Sequence, residues 1–295
     1  MSLILVRKLL RDLRVGLVTI GALLFAFELL WCKSTQQGLL LMQNLLARGI
    51  DMRVMFRVVF GLESGKMIEK LIGGDRIAIG QGLDTLSVGY VHPLLLTMLS
   101  VWAVGRAAGA IAGELDKGTM ELLLAQPLAR WRVIASHFVV DCLTIPILCG
   151  CLWAGTTLGA HVFDLIEMTS ADHKPVDPWL FGPALVNVAA LLFAISGYTM
   201  AISSAGRFRT RVLGIAVVLT LLQFLINLLG QTWQDIEFLR PWTVFYYYQP
   251  QGLILALDGS AAEAWRNVPT LLAIGTAGYA AALTIFWRRD LPAPL

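Results

Sequence analysis

Six stretches of the chain stay apolar for close to the roughly 20 residues a helix needs to cross a bilayer. They are 15–31, 86–105, 138–160, 180–203, 212–230 and 268–287, and none contains lysine or arginine. The runs are continuous, without the in-out alternation of a membrane β-barrel strand. Hydrocarbon offers backbone N–H and C=O groups no partner, so each run must satisfy its own as a helix. The pattern predicts an all-α integral membrane fold with six transmembrane helices and one transmembrane domain over 1–295. Residues 3–13 are amphipathic. Leu3, Val6, Leu9, Leu10 and Leu13 share one helical face, with Arg7, Lys8, Arg11 and Arg14 mainly on the other. This suits an N-terminal interfacial amphipathic helix; the alternative is an extension of the first span.

Between the spans the pattern is less regular. In the first outer loop, 32–85, residues 39–46 and 52–60 are apolar but too short to cross, which predicts short helices on the outer face. The segment Gly61–Met67 resembles a phosphate loop only superficially. Phe60 stands where the motif needs glycine, and Met67 where it needs serine or threonine for magnesium. In the loop 231–267, Trp242, Phe245, Tyr246, Tyr247 and Tyr248 suit an interfacial aromatic belt. Residues 251–257 are expected to dip in as a short re-entrant helix.

Composition agrees. Hydrophobic residues make up 57% of the chain and charged residues 15%, against about 25% charged in soluble domains. This excludes a soluble globular or disordered chain, and a net charge of +3 is too small to point to nucleic acid. Cys32, Cys142, Cys149 and Cys151 lack metal-ligand spacing and read as packing residues. The first apolar run is long, carries Glu28 and lacks a small-x-small end, so an uncleaved span is expected rather than a secretory signal. Putting both termini in the cytoplasm places 13 of the 23 Lys/Arg in 1–14, 106–137, 204–211 and 288–295. That is a little over twice the basic density of the outer segments, and it predicts a multi-pass protein of the cell (inner) membrane.

The connection 106–137 carries the most local signal. Gly118-Thr119 reads as a break followed by an N-cap, and Glu121 falls where the helix dipole favours a carboxylate. Met120, Leu122, Leu123 and Leu124 make a short apolar helix that Pro127 ends. Arg130, Trp131 and Arg132 restart a basic aromatic helix into the third span. Such a projecting helix looks like a docking plug for another protein. The residues Glu114, Lys117, Gly118, Thr119, Glu121, Leu122, Leu123, Pro127 and Arg130 together resemble the loop motif of ABC-2 type transporter permeases. The six spans, the N-terminal helix and the aromatic segment before the last span are similar too.

That resemblance implies the permease subunit of an ABC exporter, without catalytic residues of its own. Thr119–Leu128 would form or adjoin a coupling helix seated in a separate ATPase subunit, with Glu114 and Lys117 at its base. ATP and magnesium would then bind the partner chain, and a second permease copy, identical or not, would complete the assembly among membrane lipids. A membrane-embedded enzyme or assembly factor is the alternative, and it would need an acid, histidine or metal cluster converging at one depth.

Polar residues inside spans are costly, about 2.5–3.5 kcal/mol for a central Asp. Glu28 and Asp141 are the only acids in the six runs and are expected to reach the interface or to pair. His92-Pro93 marks a kink. Gln223 and Asn227 share a face of span five. Glu28, His92, Asp141, Gln223 and Asn227 are thus the candidates for a translocation path, with no metal site among them. Gly105, Gly109 and Gly113 recur every four residues and are expected to let helices approach closely.

Overall fold

The computed structural model describes residues 3–49, 82–120, 129–167, 174–255 and 260–289. Within them, six helices are long and apolar enough to cross a membrane, one for each run read from the sequence. Span one is α1 (Leu3–Ala47). Span two is α2 (Gly82–Val91) and α3 (Pro93–Ala110), followed by the short α4 (Ala112–Asp116). Span three is α5 (Arg130–Val162). Span four is α6 (Gly182–Ala205), entered through the 3-10 turn Pro178–Phe181. Span five is α7 (Arg209–Thr232). A 3-10 stretch, Gln234–Trp242 and Val244–Tyr247, and the short α8 (Pro250–Leu255) lead to span six, α9 (Ser260–Arg288). The two-residue strands β1 (Ile166–Glu167) and β2 (Lys174–Pro175) pair antiparallel beside the end of α5.

Two boundaries differ from the sequence reading. Residues 3–13 are no separate interfacial helix but the first turns of α1, because nothing between Leu3 and Trp31 interrupts the backbone ladder. Residues 39–46 are likewise the far end of α1 rather than an outer-face helix of their own. The segments 52–60 and 61–67 lie outside the described residues. The break at His92 is present: its backbone is extended, its Nδ1 accepts from Leu94 N at 3.2 Å, and Pro93 opens α3.

Span four sits deepest in the bundle and span five is the most exposed. Leu213, Ile215, Val217, Val218, Leu221 and Leu222 of α7 face outward, as an apolar surface facing lipid tails must. Without a hydrophobic drive between helices in lipid, close packing decides where they meet. Spans four and six meet backbone to backbone. A Cβ on Gly197, Gly275 or Gly278 would overlap atoms of the opposite helix. Spans one and three meet at two glycines one turn apart, where a Cβ on Gly155 would lie 2.5 Å from the Phe25 carbonyl oxygen and one on Gly159 2.6 Å from the Cys32 side chain. The expected glycine ridge at 105, 109 and 113 packs no helix so closely. Nothing lies within 4 Å of a Cβ on Gly105, and Gly109 and Gly113 are covered by the Arg209 side chain at 3.5 Å.

Six crossings return the chain to the side on which it began. Side-chain contacts confirm that the start of α5, the end of α6 and the end of α9 share one end of the bundle. Arg130 Nη1 donates to the carbonyls of Trp287 (3.2 Å) and Arg289 (2.6 Å). Arg289 Nη1 donates to those of Ser204 and Gly206, both at 2.8 Å.

Candidate functional site

At this end the connection between spans two and three is anchored to its surroundings at several points. The helix breaks at Ile111, and Ser203 of span four fills the gap. Its hydroxyl accepts from Ile111 N (3.2 Å) and Ala112 N (3.1 Å) and donates to Ala108 O (3.1 Å). Asp116 Oδ2 accepts the Arg209 N–H at 3.4 Å, so the stem of the loop caps the first turn of span five. Gly118 turns the chain with φ +69°, a backbone that favours glycine. The Thr119 hydroxyl then lies 2.5 Å from Glu114 Oε2 and 3.2 Å from Glu114 O. Thr119 therefore donates back across the turn. The N–H groups it was expected to cap belong to residues outside the described ones.

Among the other residues expected in this loop, Lys117 and Gly118 are exposed. Met120 is fully buried in the bundle core, so it helps hold the loop rather than projecting from it. Glu121, Leu122, Leu123 and Pro127 lie outside the described residues. Arg130 is engaged within the chain: its guanidinium holds the last carbonyls of span six, a cation at a helix C-terminus.

The intramembrane candidates fall into four separate places. Asp141 does not reach the interface. It is fully buried and pairs with Arg106, while the Tyr279 hydroxyl donates to the same carboxylate oxygen and Arg106 Nη2 also donates to Tyr279 Oη at 3.0 Å. His137, one turn before Asp141 on the same face, is buried beside them. The cluster joins spans two, three and six. Sequence reasoning assigned Arg106 to the loop and missed Tyr279 and His137. The available signal was that two isolated opposite charges, each flanked by apolar residues, end adjoining spans at one depth. The cluster's side chains are closed off from solvent.

Glu28 is equally buried, and no cation pairs with it among the described residues. Thr156 donates to its Oε2 at 3.1 Å and shares a 3.0 Å hydrogen bond with the Tyr90 hydroxyl. Oε1 has no partner among the described residues. Tyr248 Oη closes the group by donating to Tyr90 O at 2.6 Å, and burial pushes the Tyr248 phenol well above its ordinary range. His92 lies apart, its ring 5.1 Å from that of Trp31 and 5.6 Å from that of Phe27.

Gln223 and Asn227 anchor a loop. Gln223 Oε1 accepts Val244 N at 3.1 Å, and Asn227 Oδ1 accepts Arg240 Nε at 3.5 Å. Asn187 of span four does the same from the other side, accepting from Gln249 N at 3.0 Å and donating to Tyr247 O at 3.2 Å. The aromatic segment is consequently divided. Trp242 is exposed as a belt residue, whereas Phe245 and Tyr248 are buried, Phe245 edge-on to Phe224 at 5.4 Å.

A family model described as "ABC-2 family transporter protein" matches residues 6–291, nearly the whole chain. The chain belongs to that family. No curated protein matches it. The protein is therefore a multi-pass membrane permease of the ABC transporter class.

Proposed function

We propose that this ABC-2 family protein is the permease of an ATP-driven exporter, powered by a separate ATPase subunit that docks on residues 113–138. The observation that carries the reading is the anchoring of that connection. Ser203, Asp116 and Arg130 tie it to spans four, five and six, so a push on the loop moves three helices as well as the two it joins. A loop serving only as a linker needs none of these ties. Two permeases and two ATPases would make the transporter, with ATP and magnesium held by the ATPase pair. The basic residues gathered at this end support a cytoplasmic placement for the loop and both termini in the cell membrane.

Membrane extraction and affinity purification test the assignment. A stoichiometric ATP-hydrolysing chain should accompany the wild type. Glu114→Lys or Leu123→Asp should release it while the permease itself stays monodisperse. Retention of the ATPase by both variants would place its docking elsewhere.

A further inference from the structure

At the end of the bundle where α1 starts and α9 ends, the turn between spans four and five holds a group of arginines. Arg207, Phe208 and Arg211 are exposed there. The Arg207 and Arg211 guanidinium carbons lie 6.0 and 5.9 Å from the centre of the Phe208 ring, which both cations therefore flank. Arg289 reaches into the same turn to hold the Ser204 and Gly206 carbonyls. Burial and the neighbouring Arg207 cation pull the Arg289 guanidinium below its ordinary value. Among the described residues no carboxylate forms an ion pair with Arg207, Arg211 or Arg289. The nearest acid in the contacts of this turn, Asp116, is directed at the Arg209 N–H.

The position adds a second constraint. Span four ends at Ala205 and span five begins at Arg209, so the turn lies at the boundary of the hydrocarbon. Phe208 is half exposed, and Trp287 at the adjoining end of span six is more so. Aromatic rings at this depth rest among headgroups. Guanidinium forks fit phosphate oxygens two at a time. A soluble acidic partner would fit the charge but not the exposed rings, whereas a lipid satisfies both.

We propose that Arg207, Arg211 and Arg289 bind the phosphate of an anionic phospholipid, with Phe208 against the top of its acyl chains. The site fixes a lipid at the turn that leads from span four into span five. Because span five starts within this turn and is capped by Asp116 of the inner connection, lipid occupancy acts on the same helix end as that connection.

The test uses the protein with whatever subunits accompany it, exchanged into phosphatidylcholine micelles containing a minor fraction of phosphatidylglycerol. Lipid retained through native mass spectrometry is counted by headgroup. Wild type should retain phosphatidylglycerol selectively. Arg207→Gln combined with Arg211→Gln should lower that retention roughly thirtyfold, the order expected on removing two interfacial cations, and leave phosphatidylcholine unchanged. Arg207→Lys with Arg211→Lys should recover most of the charge-driven retention, which separates loss of the site from loss of folding. Unchanged phosphatidylglycerol in the glutamine variant overturns the proposal. So does equal loss of both lipids, or displacement of the lipid by inorganic phosphate at matched ionic strength.

Discussion

Two buried acids of this chain are treated differently by their surroundings, and the difference sets what each substitution does. Asp141 faces Arg106 and Tyr279 in a region closed to water. Breaking a buried pair by removing one partner leaves the other charge uncompensated and costs about 3–5 kcal/mol. Asp141→Asn should therefore lower the thermal unfolding midpoint of the detergent-solubilised protein markedly. Replacing both partners, Arg106→Met with Asp141→Leu, should recover most of the loss. A double variant as unstable as the single one would show that the pair is not a self-contained unit. Among the described residues Glu28 has no cation to strand and one oxygen without a partner. Glu28→Gln keeps an oxygen for Thr156 and should change that midpoint little, so any loss of transport in this variant reports on the path rather than on folding. The sequence exposed both acids as isolated charges in apolar runs. It could not show that their fates differ, because pairing depends on which neighbouring helix brings a cation to the same depth.

At the scale of helices, all six runs were readable as helices because hydrocarbon forces every spanning segment into one secondary structure. The ends were less readable. Nothing in the sequence of residues 3–47 stops a helix, so the amphipathic segment and the apolar run merge into one element. Packing was the hardest to read: a glycine repeat signals closeness only where a partner helix crosses it. Gly197→Leu should drive span six away from span four and abolish accumulation of folded protein in the membrane, as immunoblotting of membrane fractions would show. Gly105→Ala, with open space around it, should leave accumulation unchanged. The connection between spans two and three depends on a different glycine. Gly118→Ala forces a side chain into a left-handed turn at a cost of about 1 kcal/mol. It should raise protease cleavage between 111 and 129 more than it lowers global stability. Equal protection of variant and wild type would mean that the turn is not what orders the loop.

For the whole molecule, the family and the membrane architecture were within reach of sequence reasoning, because composition gives the class and the loop motif gives the family. The ties that make the loop part of the bundle were not, since Ser203, Asp116 and Arg130 act across separations of 91 to 159 residues that no local pattern records. They imply that force applied at one end is shared among five of the six spans. Arg130→Ala, which frees the end of span six, should then leave a bound ATPase in place yet weaken the stimulation of its hydrolysis by the permease. The most direct test is to purify the protein from its own membrane, reconstitute it in liposomes and follow ATP hydrolysis together with its accompanying chains. The account predicts a second polypeptide that hydrolyses ATP, held in fixed ratio through residues 113–138 and lost when Glu114 is reversed to Lys. A protein that functions fully alone, or one whose 113–138 segment is cleaved only by protease on the outer face of intact cells, would contradict it.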